Sequence, residues 1–311
     1  MLLILILVLS GCVVPGRGES PALAPAATVA SFAGNSVSWP LLVDAIWLSE
    51  RRDDTNLRVL DLSALATYQR GHVPGARHAW WQDTMDRYGP VYGMVVSEER
   101  DPGRRAWLLE SLGIGPETFV VAYDDDQNRF AARFVWFLRY LGHQRASVLD
   151  GGLAAWRGAG GDVDTSTHET PDVAAATPDP QSGYIIGTRE LRDRLDDSSL
   201  VILDVRTPEE ADDDLNGTLP NGRIPGAIVV PWTDTLRDDV GRLKDPAELA
   251  RLYREAGVVP DRDKRIIVYA RFGVEAGQTW WVLKLLGYPY VRIYDAGWAG
   301  WAAQSDLPID V

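Results

Sequence analysis

The fold is decided by residues 266–297, which read IIVYARFGVEAGQTWWVLKLLGYPYVRIYDAG. An apolar, β-branched run ends at Tyr269, a helix-like segment ends at Leu286-Gly287, and a second short β-type run closes at Asp295. Residues 119–152 repeat this order, and the Leu-Gly pair recurs at an offset of 145 residues. The chain therefore contains two copies of one domain.

A turn-like motif precedes each copy: residues 71–76 read GHVPGA and residues 222–227 read GRIPGA. Short β-branched runs bounded by polar residues are typical of buried parallel strands. These runs are 57–60, 119–122, 201–203, 266–269 and 291–293. Because strands alternate with helices, we expect an α/β fold in which each domain has a central parallel sheet flanked by helices. Ligands in such folds bind beyond the strand C-termini, so the segments after Tyr123 and Tyr269 are the candidate sites.

Composition excludes several classes of function. The chain has 311 residues, of which 46% are hydrophobic, so it has room for two domains with real cores. A net charge of -13 argues against a nucleic-acid partner, because such binding depends on Lys and Arg that neutralise phosphates. With one cysteine and four scattered histidines, we expect no disulfide, no iron–sulfur cluster, no metal site and no cofactor.

The N-terminus resembles a bacterial lipoprotein signal. Residues 2–9 form an apolar run that is too short to span a bilayer, and the sequence Leu9-Ser10-Gly11-Cys12 follows. This segment resembles a lipobox, which implies cleavage before Cys12, lipidation of Cys12 and a place in the bacterial cell envelope with membrane contact through the lipid only. No Lys or Arg precedes the apolar run, which departs from the pattern. A soluble export signal with an incidental thiol is the alternative.

The domain boundaries follow from these observations. We predict a signal peptide at 1–12, a Pro- and Ala-rich tether at 13–35, a first domain at 36–160 and a second domain at 184–311. Between the two domains, residues 161–183 carry five acidic residues and no Lys or Arg. We interpret them as a solvated acidic linker.

Taken together, the paired motifs resemble the tandem-domain rhodaneses, or thiosulfate sulfurtransferases. The resemblance runs from about Ser38 to Trp301 and rests on GHVPGA, GRIPGA, residues 269–276 and the Asp-Gly-Gly and Asp-Ala-Gly segments. It implies that the second domain performs the reaction and that the first has a degenerate loop. In the family, a cysteine after the strand takes sulfane sulfur from thiosulfate as a persulfide. Backbone N–H groups at a helix N-terminus stabilise its thiolate.

The nucleophile is missing from this chain. The family loop reads Cys-Arg-x-Gly-x, and here Ala270 stands at the position of the catalytic cysteine, followed by Arg271, Phe272, Gly273, Val274 and Glu275. Glu275 adds negative charge to a site meant for sulfur oxyanions. We expect it to fill the loop itself, clamped by Arg271, or else to point into water. Asp204 and Arg206 match positions that line the family pocket, although a surface ion pair at a strand end explains them equally well.

Other candidate residues have structural explanations. Asp124, Asp125 and Asp126 form the degenerate loop of the first domain. They resemble the start of a calcium loop, but Arg129 and Val135 stand where Gly and Glu are needed. His72 is expected to have a structural role in the GHVPGA turn. Eight tryptophans are expected to pack in the core rather than bind sugars: Trp80, Trp81, Trp136, Trp156, Trp280, Trp281, Trp298 and Trp301.

Two functions remain open. The favoured one is a pseudoenzyme that keeps the fold as a module binding a small sulfur oxyanion or a protein partner, since losing a covalent nucleophile removes on the order of a million-fold in rate. The alternative is an active sulfurtransferase that moves sulfane sulfur from thiosulfate or a related donor to a thiophilic acceptor. It holds if Ala270 replaces a natural cysteine.

Overall fold

The computed structural model describes residues 40–85, 101, 103–171, 173–212, 219–237 and 240–311. In the first domain these residues form five strands: β1 Leu42–Val43, β2 Leu57–Asp61, β3 Arg77–His78, β4 Phe119–Tyr123 and β5 Ala146–Leu149. The helices of this domain are α1 Ala45–Arg51, α2 Leu65–Arg70, α3 Arg104–Ser111, α4 Arg129–Tyr140 and α5 Gly152–Gly158, with a 3-10 turn at Trp81–Thr84.

The second domain repeats this order. Its strands are β6 Ile185–Ile186, β7 Leu200–Asp204, β8 Ile228–Val229, β9 Arg265–Tyr269 and β10 Val291–Tyr294. Its helices are α6 Thr188–Arg192, α7 Pro208–Asp212, α8 Pro246–Glu255, α9 Val274–Leu285 and α10 Gly297–Ala302, with 3-10 turns at Ser182–Tyr184 and Trp232–Thr235.

Each domain contains one parallel sheet, and the two sheets have the same strand order. The first runs β1-β5-β4-β2-β3 and the second runs β6-β10-β9-β7-β8. The central pairs keep equivalent registers, with Asp61 opposite Tyr123 in one sheet and Asp204 opposite Tyr269 in the other. The α/β fold and the duplication expected from the sequence are confirmed.

Among the residues that the structure describes, apolar side chains form three buried clusters. One lies within the first domain, one within the second, and the largest draws on both domains. At its centre α4 and α9 lie against each other, so closely that a Cβ on Gly277 would come within 2.7 Å of the Cα of Arg133. The indole of Trp281 also donates to the carbonyl of Leu41 at 2.8 Å. The two domains therefore share a core, which places the loop before α9 against the first domain.

The tryptophans pack largely as expected. Six of the eight are buried, and Trp80 and Trp81 are partly buried. The indole nitrogens of Trp156 and Trp301 donate to the carbonyls of Asp162 and Pro308 at 2.7 and 2.8 Å. Burial with a satisfied N–H is the arrangement expected of a core tryptophan.

The segment 161–183 is more closely attached to the first domain than a simple linker. It is mostly exposed, yet Asp164 forms an antiparallel bridge with His72. Farther along, the N–H of Ala176 donates to the carbonyl of Ile114 at 2.8 Å, and that of Asp179 donates to Leu141 at 2.9 Å. These hydrogen bonds hold the acidic segment along the surface of the first domain.

Candidate active site

The loop of the second domain connects β9 to α9 through four residues, 270–273. Gly273 is the residue before the helix and has φ +80°, a left-handed conformation that glycine adopts without strain. A Cβ at Gly273 would lie 2.5 Å from Oδ1 of Asp295, so this position also lacks space for a side chain. The glycine therefore lets the chain turn tightly into the helix N-terminus.

Ala270 is fully buried at the start of this loop. Its carbonyl accepts a hydrogen bond from the N–H of Trp298 at 2.8 Å, and the carbonyl of Arg271 accepts one from Ala299 at 3.2 Å. Gly297 lies so close beneath them that a Cβ there would meet both carbonyl oxygens within 2.6 Å. Helix α10 thus fixes the backbone of the loop. The side chain at the decisive position is a methyl group, which has no lone pair with which to attack a sulfur atom.

Asp204 and Arg206 form a buried ion pair instead of a surface one. The guanidinium donates to both carboxylate oxygens of Asp204, with Nη2 to Oδ2 at 2.6 Å and Nε to Oδ1 at 2.9 Å, and to the carbonyl of Gly222 at 2.8 Å. The Tyr269 hydroxyl donates to Asp204 at 2.8 Å. Burial is the main cause that raises the pKa of Tyr269. The pair joins the C-terminal ends of β7 and β9 to the GRIPGA turn.

Glu275 lies in the first turn of α9 and is buried. Its carboxylate accepts a hydrogen bond at 2.8 Å from the guanidinium of Arg129, which belongs to the first domain. The expected clamp by Arg271 is wrong, because Arg271 donates to the backbone carbonyl of Glu210. The alternative that Glu275 points into water is also wrong. Sequence spacing favoured a local partner, whereas the shared core brings α4 close enough for Arg129 to bind this carboxylate.

The electrostatics of Glu275 reflect its burial. Burial is the largest cause that raises its pKa, and the nearby charge of Glu210 acts in the same direction, while Arg129 opposes both. Arg129 is shared, since it also contacts the carboxylate of Asp126 at 2.6 Å. A carboxylate that already has a positive partner and a negative neighbour makes this site unfavourable for a second anion.

A cavity of about 190 Å³ opens between the domains beside this ion pair. Its wall is mainly apolar, with the Arg129–Glu275 pair as the charged part. The lining residues are Trp81, Met85, Arg129, Phe130, Phe272, Val274 and Glu275. Of the residues predicted for the site, the structure brings three to this cavity, namely Phe272, Val274 and Glu275. Asp204 and Arg206 do not line it.

The loop after β4 in the first domain encloses a carboxylate where the loop after β9 has a methyl group. Asp124 follows the last residue of β4 and is buried, as Ala270 follows the last residue of β9. Its carboxylate accepts backbone N–H bonds from Asp126 at 2.7 Å, Asn128 at 2.9 Å and Ala131 at 2.8 Å. Burial raises the pKa of Asp124 to about 6, against the effect of these three bonds. The three aspartates therefore do not converge as calcium ligands: Asp125 is exposed and Asp126 binds Arg129.

Sequence reasoning missed the arginines of α4. Arg133 is fully buried and binds Oδ1 of Asp295 at 2.6 Å across the domain interface. It also donates to the carbonyl of Gly273 at 3.4 Å. Three arginines in an otherwise apolar helix, at 129, 133 and 139, are a signal that could have indicated buried ion pairs.

Some expectations lie outside the described residues. Cys12, the signal peptide and the tether belong to this part of the chain. Within the described residues, no helix has the length and apolar character needed to cross a bilayer.

Comparisons with known proteins agree with this architecture. Residues 44–159 and 188–304 each match the rhodanese-like domain family. The sulfur carrier protein TtuD of Thermus thermophilus is 34% identical over 282 residues, which cover 86% of this chain and 96% of that protein. A thiosulfate sulfurtransferase of Azotobacter vinelandii is 32% identical over 286 residues, covering 88% and 98%.

A solved structure shows the same fold. SseA of Escherichia coli, described as a 3-mercaptopyruvate sulfotransferase with the rhodanese fold, superposes with a TM-score of 0.73. The two sequences are 27% identical, and the match covers 83% of this chain and 98% of SseA. The fold of this chain is thus shared with SseA over most of both proteins. The chain belongs to the rhodanese family, with two rhodanese-like domains in tandem.

Proposed function

We propose that this protein does not transfer sulfur and acts as a binding module built on the tandem rhodanese fold. The observation that carries the proposal is Ala270, a buried methyl group where the family resemblance places the nucleophilic cysteine. Cys12 is the single cysteine of the chain, so no second thiol can replace the nucleophile. Without a thiolate no persulfide forms, and the covalent route of the family is closed.

The cleft favours a protein partner over a small sulfur oxyanion. Its cavity is lined mainly by apolar side chains, which suit an apolar side chain of a partner. Its arginine, Arg129, already binds Glu275 and Asp126. An oxyanion that entered would approach the carboxylate of Glu275, and the positive charge of Arg129 is already shared between two carboxylates.

The direct test is a sulfur-transfer assay. The Cys12→Ser protein is incubated with thiosulfate or mercaptopyruvate and cyanide, with the Azotobacter vinelandii thiosulfate sulfurtransferase as positive control. We expect thiocyanate formation at the level of the buffer blank. Steady turnover by Cys12→Ser would contradict the proposal, because it requires a nucleophile other than a thiol.

A second variant separates the missing nucleophile from the rest of the site. Ala270→Cys places a thiol just before a helix N-terminus, which stabilises a thiolate, so we expect a lowered pKa of this thiol, measured by the ultraviolet absorbance of the thiolate as pH is raised. We expect little thiosulfate turnover, since Glu275 still opposes the donor. Full activity from this single change would mean that the cleft remains a sulfurtransferase site, as the alternative function requires.

We also propose that the protein is anchored in the bacterial cell envelope by a lipid on Cys12. The support is the lipobox-like Leu9-Ser10-Gly11-Cys12 and the single cysteine at that position. An acidic protein gains no affinity from anionic headgroups, so acyl chains must supply it. Membrane fractionation of wild type and Cys12→Ser tests this. Wild type recovered wholly in the soluble fraction would refute the anchor.

A further inference from the structure

A second group of chemically active side chains lies away from the interdomain cleft. His72 belongs to the GHVPGA turn after α2, and Asp164 and His168 belong to the acidic segment 161–183. The backbones of His72 and Asp164 exchange two hydrogen bonds, each 2.9 Å long. A potential ligand atom from each of the three side chains lies within 4.8 Å of the other two. Among the described residues these three side chains are the group whose donor atoms lie close enough together to hold a metal ion.

His72 presents a buried nitrogen that has no hydrogen-bond partner. Its side chain is fully buried, and its ring stacks on that of Tyr68 with centroids 3.8 Å apart. Its Nδ1 lies 2.9 Å from the carbonyl oxygen of Tyr68. A carbonyl only accepts, so Nδ1 carries the hydrogen and donates, which leaves a lone pair on Nε2. Within the described part of the chain, Nε2 is a buried polar atom without a partner.

An imidazole held in this way is prepared to bind a metal. Metal-binding histidines commonly donate their second ring nitrogen to a carbonyl or a carboxylate, which fixes the tautomer and the ring orientation. The Tyr68 carbonyl does this for His72. Leaving the Nε2 lone pair buried and unpaired is unfavourable, and an ion at this point would remove that penalty.

The other two side chains approach the His72 ring from the acidic segment. The Asp164 carboxylate accepts from His168 Nε2 at 2.8 Å and from the N–H of Ser166 at 2.9 Å. The His168 ring meets that of His72 edge to face, with centroids 6.0 Å apart. Because the Ser166 bond fixes the Asp164 carboxylate and the paired backbone bonds fix His72, two of the three groups are already positioned.

We propose that His72, Asp164 and His168 bind one divalent first-row transition metal ion, with Zn²⁺ the ion that best fits two imidazoles and one carboxylate. This donor set, completed by water, is that of known tetrahedral zinc sites. Ligand atoms in such a site lie about 3.3 Å apart, given bond lengths of about 2.0–2.1 Å. Pairs that are now as much as 4.8 Å apart must therefore come closer, and the Asp164 and His168 atoms, now 2.8 Å apart, must separate slightly. The His168 side chain is 32% exposed and lies on the surface segment, so it can make that movement. The bound ion would fasten the acidic segment to the first domain.

The test is a calorimetric titration of the full-length chain with ZnCl₂. The protein carries Cys12→Ser, so that no thiol competes, and contains no added histidines. We expect one ion per chain and a thermal unfolding midpoint that rises with Zn²⁺ concentration, because an ion that binds only the folded chain stabilises it. Titration with Co²⁺ adds a visible spectrum that reports nitrogen and oxygen ligands.

Variants locate the ion. His168→Ala changes a partly exposed residue on the surface segment. It is expected to keep the fold while weakening Zn²⁺ binding at least about tenfold, as loss of a direct ligand should. Asp164→Asn keeps the size of the side chain and is expected to weaken binding similarly. His143→Gln is the matched control, since this histidine lies outside the group, and we expect wild-type affinity.

Three results would overturn the proposal. The first is the absence of stoichiometric Zn²⁺ binding by the Cys12→Ser chain. The second is unchanged affinity in His168→Ala, which would place the ion elsewhere and leave His72 and His168 with a ring contact only. The third is Mg²⁺ binding as tight as Zn²⁺ binding, which would indicate general attraction to an acidic chain rather than imidazole ligands.

Discussion

The loops that follow β4 and β9 have the same place in two copies of one domain, yet they differ in what they enclose. The first loop has five residues, and the carboxylate of Asp124 lies inside it, bound by three backbone N–H groups. The second loop has four residues, and Ala270 contributes only a methyl group. Both loops lead into a buried twelve-residue helix.

The difference shows how one residue decides whether such a loop can receive a ligand. Backbone N–H groups at a helix N-terminus favour a negative group. The first domain supplies that group from its own chain, so its loop is complete without a ligand. A loop occupied by a carboxylate of its own chain was expected after β9, from Glu275, but it is found after β4, where Asp124 occupies it. In the second domain the buried carboxylate of Glu275 lies one turn farther along and binds Arg129 across the interface.

The largest expected change in the free energy of unfolding comes from removing the Asp124 carboxylate from the loop after β4. Asp124→Ala would leave the buried N–H groups of Asp126, Asn128 and Ala131 without their acceptor. Hydrogen bonds to a charged group contribute about 1.5–3 kcal/mol each, and the carboxylate no longer has to be buried, so we expect a net loss of about 3 kcal/mol in the free energy of unfolding. Urea denaturation measures it. Asp125→Ala, at the exposed neighbour, should change stability little; equal losses in both variants would contradict the filled-loop interpretation.

The raised pKa of Asp124 predicts a pH dependence of similar size. Between pH 4 and 6 the folded state holds a proton that the unfolded state has lost, so this residue's contribution to stability falls as pH rises through that window and is constant above it. A shift of about two pKa units corresponds to about 3 kcal/mol. Comparing the unfolding free energies of wild type and Asp124→Asn from pH 4 to 7 isolates the effect. A difference between them that stays constant with pH would show that Asp124 titrates normally.

The sequence predicts the strands, a helix start and the duplication of the domain well. The apolar runs 119–122 and 266–269 correspond to β4 and β9, because a buried parallel strand is a continuous run of apolar, β-branched residues that is visible in the sequence. The start of α8 is also specified locally: Asp245 and Glu248 have the spacing of a capping box, and the N–H of Asp245 donates to Glu248 at 3.3 Å. Internal repetition then predicts the second sheet from the first.

Partners across the domain interface could not be predicted in the same way. Glu275 and Arg129 are 146 residues apart, and nothing in the local pattern of either helix specifies the other. The approach of His72 to Asp164 and His168 likewise depends on how the acidic segment lies on the first domain. Such contacts follow from the packing of whole elements, which spacing along the chain does not encode.

A smaller loss of stability is expected from a substitution at the contact between α4 and α9. Gly277→Ala would place a Cβ 2.7 Å from the Cα of Arg133, and a backbone atom cannot move aside as a flexible side chain can. Alanine favours a helix over glycine by about 1 kcal/mol, so the net destabilisation of about 2 kcal/mol that we expect corresponds to a cost of about 3 kcal/mol at the interface. Gly158→Ala is the control, because a Cβ there meets no atom within 4 Å. A Gly277→Ala protein as stable as the control would mean that α4 and α9 pack less closely.

The smallest expected effect tests whether charge or shape keeps oxyanions out of the second loop. Glu275→Gln removes the negative charge beside the cavity and frees Arg129 from one of its two carboxylates. We expect thiosulfate to bind about three- to tenfold more tightly, the equivalent of about 1 kcal/mol, with a loss of stability of about the same size from the broken ion pair. Glu209→Gln is the matched control: this neighbour of Glu210 is exposed and should change neither quantity. Calorimetric titration with thiosulfate gives the affinities. If Glu275→Gln and wild type bind equally, the charge of Glu275 is not what excludes the anion, and the apolar wall of the cavity, shaped by Trp81 and Phe130, becomes the reason that a protein partner suits the cleft better than an oxyanion.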